Sequence, residues 1–203
     1  MAGGSGDVIA LGHFGRPVLA FAPLDGRAWD FDDNGMIGVL GDLLDSGGAK
    51  LYCVDGRDSD DEKARTAYEN WIIDRVLPFV HTDCGGPIEV VTLGCADGAG
   101  TAVDLALRRA DLFPIAIGMS GRYDAAAADA VAQLGHDHVD WVNGRLTVVL
   151  GVGDEADNAA ATSFSGRLGH LGIRCEVDAV PAGTPCGWPG WRHLAATHLP
   201  RFC

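Results

Sequence analysis

The stretch from Glu89 to Phe113, EVVTLGCADGAGTAVDLALRRADLF, constrains the fold more than any other. Val90, Val91, Thr92 and Leu93 form a short apolar, β-branched run that reads as a buried strand. Gly94-Cys95-Ala96-Asp97-Gly98 follows, with glycines four residues apart. From Thr101 to Arg109 the apolar residues Val103, Ala106 and Leu107 recur at helical spacing, with Ala110 next. A strand that turns into a helix within five small residues crowds the middle of the turn, and the glycines relieve that crowding. Ala96 stands at the centre of it.

The same alternation runs through the chain. Asp7 to Leu11 reads as an edge strand and Pro17 to Ala22 as a second strand. A helix is predicted from Asp33 or Asn34 to about Leu44, stopped by Gly47-Gly48. Leu51 to Val54 is the next strand, followed by an acidic loop at Asp58 to Glu62. A long helix is expected from about Lys63 to Val80, with Tyr68, Ile72, Val76 and Phe79 on one face. After the central unit come a strand at Pro114 to Met119 and an alanine-rich helix at Ala125 to Leu134. Leu146 to Leu150 is a further strand, and a helix runs to about Leu171. Ile173 to Val180 is the last strand and Trp191 to Leu199 the last helix. Strands alternating with helices of this length predict a doubly wound α/β fold, its mostly parallel sheet covered by helices on both faces. The 203 residues fit one domain over 1–203, with Met1 to Gly6 expected outside its packed part.

Composition narrows the partners. A net charge of −13 disfavours nucleic acid and anionic membrane, because phosphates would be repelled. No apolar run reaches the ~18 residues that span a bilayer, and Met1 to Gly6 lacks the features of a signal peptide. A cytoplasmic protein with reduced thiols is therefore expected. Cys53, Cys84, Cys95, Cys175, Cys186 and Cys203 match no zinc spacing, so neither a structural metal nor a disulfide is expected. No cofactor is indicated. A small-molecule ligand, a protein partner and a homo-oligomer all remain compatible with the chain.

In doubly wound sheets the chemistry lies at the C-terminal ends of the strands. Four loops qualify, after Phe21, Leu93, Leu150 and Val180. That order corresponds to oxyanion loop, nucleophile, acid and histidine, and strand–turn–helix around Ala96 resembles the nucleophile elbow G-x-S-x-G. Further text carries the resemblance: GHFGRPVLAFAP, NGM, KLYCVD, AYENWIIDRVLPFVH, ALRRADLFP, SGRYD and WPGWRHLAATHLPRFC. These stretches, spread over most of the chain, resemble the esterase-like α/β-hydrolases of the esterase D and antigen 85 type, in particular a compact actinobacterial branch. The family's elbow reads G-C-S-x-G-A and its C-terminal loop H-D-W-P-x-W. The resemblance therefore puts Ala96 at the serine position, Cys186 at the histidine position and Gly187 where the family has aspartate. The acid would fall among Asp154, Glu155 and Asp157, in a loop that looks shortened.

The resemblance implies a hydrolase fold with a degenerate triad, in which Ala96, Cys186, Asp154 and Asp157 are vestigial positions. The oxyanion donors would be the backbone N–H of Asp97 and one near Leu24 or Asp25, and Cys186 and Trp188 would line a ligand pocket. A pseudo-hydrolase with a binding or assembly role is the expected function. The alternatives are a relocated hydrolase site using Asp97, Cys186 or the carboxylates of Asp154 to Asp157, and an esterase whose serine lies elsewhere. Simpler roles accompany these: Asp97 as a helix cap, His136-Asp137-His138 as a solvated turn rather than a metal site, Ser120 as scaffold, and His193 and His198 as structural. Trp188 and Trp191 would anchor the last helix. The elbow is expected to survive the loss of its serine, with Ala96 at positive φ.

Overall fold

The computed structural model describes residues 6–123, 136–185 and 187–203, without the side chains of 136–137 and 155–157. The predicted helix at Ala125 to Leu134 and the position of Cys186 lie outside the described residues. Among the described residues seven strands form one sheet: β1 (Val8–Leu11), β2 (Arg16–Phe21), β3 (Ala49–Val54), β4 (Val91–Cys95), β5 (Ile115–Met119), β6 (Thr147–Val152) and β7 (Arg174–Ala179). Their spatial order is β1-β3-β2-β4-β5-β6-β7, and every pairing is parallel except that of β1 with β3. The doubly wound expectation is met, and β1 is the edge strand that its position suggested.

Alternate side chains of the strands enter two cores, one on each face. Leu19, Phe21, Tyr52 and Val54 join the first, and Val18, Ala20, Leu51, Cys53, Leu93 and Cys95 the second. The first core is covered by α4 (Glu62–Trp71), α5 (Leu77–Asp83) and α6 (Asp97–Arg108), and the second by short helical turns and the last helix. α7 (His136–Val142) and α8 (Glu155–His170) complete the connections on the β5–β7 side. No helix among the described residues is long and apolar enough to cross a membrane.

Two helix expectations need correction. The predicted helix from Asp33 or Asn34 to Leu44 is three separate turns, α1 (Asp30–Asp33), α2 (Met36–Val39) and α3 (Gly41–Asp45). Gly35 takes φ 74 between the first two, a left-handed turn that no continuous helix contains. The long helix does run on from α4 to α5, but through a π-helical turn at Ile72–Val76. Pro78 lies at the start of α5, where its missing N–H and its ring disfavour a regular α-helical ladder. The wide turn shifts the phase of the apolar face by about one residue. Tyr68, Ile72 and Val76 are buried as predicted, but the face continues through Leu77 and Val80 and leaves Phe79 47% exposed.

The last helix, α9 (Trp188–His198), starts one turn earlier than its apolar spacing suggested. Its Leu194 lies over β6, where a Cβ on Gly151 would approach Leu194 Cδ1 to 2.5 Å. Trp188 meets Phe31 edge-on at 5.4 Å and Trp191 at 5.2 Å, so both tryptophans anchor the helix as expected. His198 is 4% exposed, its Nε2 lying 2.9 Å from Asp178 on β7 and its Nδ1 2.9 Å from Arg201. That is the structural role assigned to it. His193 is exposed.

Candidate active site

The site grows from the junction of β4 and α6. Ala96 has φ 49 and ψ −117, close to the second residue of a type II′ turn and far from the helical region. Ala96 thus has the positive φ expected for the centre of the elbow. Packing explains why it cannot relax. A Cβ on Gly94 would lie 2.2 Å from the carbonyl oxygen of Gly98, and one on Gly98 would lie 2.4 Å from that of Phe21. The two glycines thus let the first turn of α6 press against both β4 and the end of β2. Ala96 N–H donates to Met119 O at 2.9 Å, which ties the apex to β5. Ala99, Ala102 and Val103 are buried behind it, so the start of α6 is fixed by the core.

The N–H of Asp97 has no acceptor among the described residues. On the facing loop Leu24 N–H is likewise uncommitted, whereas Asp25 N–H donates to Arg57 O at 2.9 Å. Asp25 N–H is thereby committed within the protein, whereas the N–H groups of Asp97 and Leu24 stay open among the described residues. Asp97 also does not cap α6. It is the first helical residue, Ala96 occupies the cap position without a side-chain bond, and the Asp97 carboxylate accepts from Arg122 Nη2 at 3.1 Å. Its negative charge still lies favourably in the first turn.

Asp55 is a residue that the sequence reading passed over. It is buried at the end of β3, and its carboxylate accepts from Ala28 N–H at 2.8 Å, Asp7 N–H at 3.1 Å and Arg27 Nη1 at 3.2 Å. Gly56 N–H adds a bond to Gly26 O at 2.9 Å. A Cβ on Gly56 would overlap Pro23 O at 1.8 Å, so the two loops are in direct backbone contact. Together these contacts hold the loop from Pro23 to Ala28, which carries Leu24. Asp55 directly follows a parallel strand, so the strand-end rule could have found it. Arg122 had no comparable signal, because its role depends on meeting Asp97.

Of the positions that the resemblance matched to a triad, Ala96 is placed, Cys186 lies outside the described residues, and the loop with Asp154, Glu155 and Asp157 follows β6. Asp154 is exposed there, and its carbonyl accepts Asn158 N–H at 3.0 Å as α8 begins. For Glu155 and Asp157 only the backbone is described. The His136-Asp137-His138 segment opens α7 and is not a turn. Helical positions two apart lie on different faces, which removes the extended H-x-H geometry that a shared metal would need. His138 Nε2 lies 3.3 Å from Leu107 O. No group of three His, Cys, Asp or Glu residues among those described could hold a metal ion. Cys53, Cys84, Cys95, Cys175 and Cys203 are free. Burial pushes the Cys53 and Cys95 thiols up, which keeps both unreactive.

The overall fold also occurs in solved proteins. A ferulic acid esterase superposes with a TM-score of 0.76 at 15% identity, covering 93% of this chain and 85% of its own. This chain has the α/β-hydrolase fold. Mycobacterium tuberculosis MPT51 gives a TM-score of 0.68 at 16% identity over 95% of this chain and 90% of its own. An S-formylglutathione hydrolase from Staphylococcus aureus gives 0.68 at 10% identity over 95% and 90%. No family model and no curated protein matches the chain. At these identities the α/β-hydrolase likeness is one of fold.

Proposed function

We propose that this α/β-hydrolase-fold protein is a catalytically degenerate, esterase-like binding protein, which holds a small ester or acyl compound in the pocket beside Ala96. One observation carries the reading: the elbow and its facing loop remain built although the apex has no nucleophile. Ala96 retains a strained backbone, and the N–H groups of Asp97 and Leu24 are left uncommitted. Preorganised donors of this kind bind a carbonyl oxygen whether or not chemistry follows. Ala96 and Trp188 both pack on the same apolar cluster, which supports a ligand with an apolar acyl or aryl part. Loss of a triad serine or histidine lowers turnover by roughly 10⁶, and losing both costs little more. Asp97 is a poor substitute nucleophile, since its carboxylate is engaged by Arg122. The same reading takes the protein to be cytoplasmic.

The test is hydrolysis of p-nitrophenyl esters, with fluorophosphonate labelling alongside. Turnover at the rate of a denatured control and no labelled serine are expected. Labelling of any serine, or turnover well above that control, overturns the reading. Ala96→Ser alone should restore little, because the new hydroxyl lacks a base. Ala96→Ser with Cys186→His should restore turnover only if a carboxylate from Asp154, Glu155 or Asp157 reaches the imidazole.

A further inference from the structure

We infer that Ser120 is a ligand-contact residue of this pocket, its hydroxyl hydrogen-bonding a polar group of the bound carbonyl compound. The inference rests on the binding reading above and names the side chain that selects among ligands. Among the described residues ten glycines take positive φ, and only three other residues do: Asp25, Ala96 and Ser120. These three follow the ends of β2, β4 and β5, which are neighbours in the sheet. Elsewhere, including Gly187 beside Trp188, the described chain meets the need for positive φ with glycine; after these three strands it does not.

Two of the three have an explanation in what surrounds them. Aspartate tolerates the left-handed region better than most residues, which covers Asp25. Ala96 is held by the packing of the elbow. Ser120, at φ 52, has neither reason. Its backbone is pinned by its N–H, which donates to Gly151 O at 2.7 Å, and glycine would make that bond equally well. The next residue, Gly121, is glycine for want of space, since a Cβ there would lie 2.8 Å from Ala99 Cβ. The Ser120 hydroxyl, on a half-buried side chain, has no hydrogen-bond partner among the described residues. It therefore stabilises nothing in the protein around it. Cys95 pairs with Met119 in the β4–β5 register, so Ala96 and Ser120 leave the sheet side by side. Ser120 follows the strand next to that of Ala96, strain of this kind collects at functional sites, and a hydroxyl with no partner in the protein fits contact with a ligand.

Methyl ferulate and methyl butyrate, two neutral esters, are titrated into the wild type, Ser120→Gly and Ser120→Ala. Binding is followed by tryptophan fluorescence and by the backbone amide shift of Asp97, and thermal unfolding is recorded for each protein. The wild type is expected to bind at least one ester and to shift the Asp97 amide. Both variants should bind that ester roughly tenfold more weakly, the effect of one lost hydrogen bond. Ser120→Gly should also melt about 2 °C higher as strain is released, while Ser120→Ala keeps the strain and gains nothing. Undiminished binding by both variants overturns this inference and leaves the binding reading standing. If the wild type binds neither ester, the binding reading fails and the role of Ser120 fails with it.

Discussion

At the scale of a residue, the site is governed by two steric facts about the elbow. Alanine at positive φ costs about 1–2 kcal/mol, because its Cβ crowds the following carbonyl. Glycine would avoid that crowding, at a cost of about 0.5–1 kcal/mol for its freer unfolded chain. Ala96→Gly should therefore stabilise the protein by roughly 0.5–1 kcal/mol in urea unfolding, and a loss of stability would show that Ala96 is not strained. The opposite holds at Gly98. Its added methyl would lie 2.4 Å from Phe21 O and 2.5 Å from Ala22 O, both backbone atoms that cannot swing away. Gly98→Ala should destabilise by about 2 kcal/mol or more through overpacking and should move the loop that carries Leu24.

At the scale of elements, the π-helical turn between α4 and α5 decides which side chains hold that helix to the sheet. Leu77 is buried and Phe79 half exposed. Leu77→Ala should cost about 2–4 kcal/mol. Phe79→Ala, which loses mainly the edge contact with Tyr52 at 6.1 Å, should cost about 1 kcal/mol. Equal losses would mean that the helix is regular in solution. The α4–α6 contact carries a second test. Arg108 of α6 pairs with Glu69 of α4 at 3.2 Å, and Asp104 lies near both. Burial, with Glu69 adding to it, pushes the Asp104 carboxyl from 3.8 up to about 6. Between those two values the folded protein holds a proton that the unfolded chain has released. Stability therefore falls as pH rises through this window. Asp104→Asn should stabilise the protein at pH 8 by about 1 kcal/mol, allowing for solvent screening of this half-buried side chain, and should have little effect at pH 4. A benefit independent of pH would rule out this cause.

At the scale of the whole molecule, a seven-stranded sheet has two edges, and β7 is the more open. Val180 N–H donates inward to Val152 O, so the alternating Ala179 N–H faces outward along the edge. Asp178 Oδ1 accepts it at 3.0 Å, while Oδ2 of the same carboxylate meets His198 at 2.9 Å. One side chain thus blunts the edge and secures the end of α9, a common protection against edge-to-edge pairing. Asp178→Ala should raise concentration-dependent association in sedimentation velocity. An unchanged sedimentation profile would show that other features protect this edge.

What the sequence by itself determined is local or periodic in origin. Alternating apolar runs marked the strands, the 3.6-residue spacing marked most helices, and the small residues from Gly94 to Gly98 marked the elbow. That Ala96, a residue without a nucleophilic atom, stands at the centre of the turn was legible for the same reason, since one position within a short motif needs no tertiary context. The break at Gly35 and the π-helical turn before Pro78 left local signals too, but a periodic pattern does not tell a shift of phase from a continuous face. Only the tertiary structure decided which backbone donors remain free. Asp25 and Leu24 are adjacent and chemically equivalent in sequence, and Arg57 O alone distinguishes them by taking one N–H. The Asp97–Arg122 pair and the Asp55 hub are of the same kind, joining residues 25 and 27 to 48 positions apart. Hydrogen bonds across such separations depend on strand order and register. Those are set by how the two cores pack on the sheet, which no single stretch of the chain encodes.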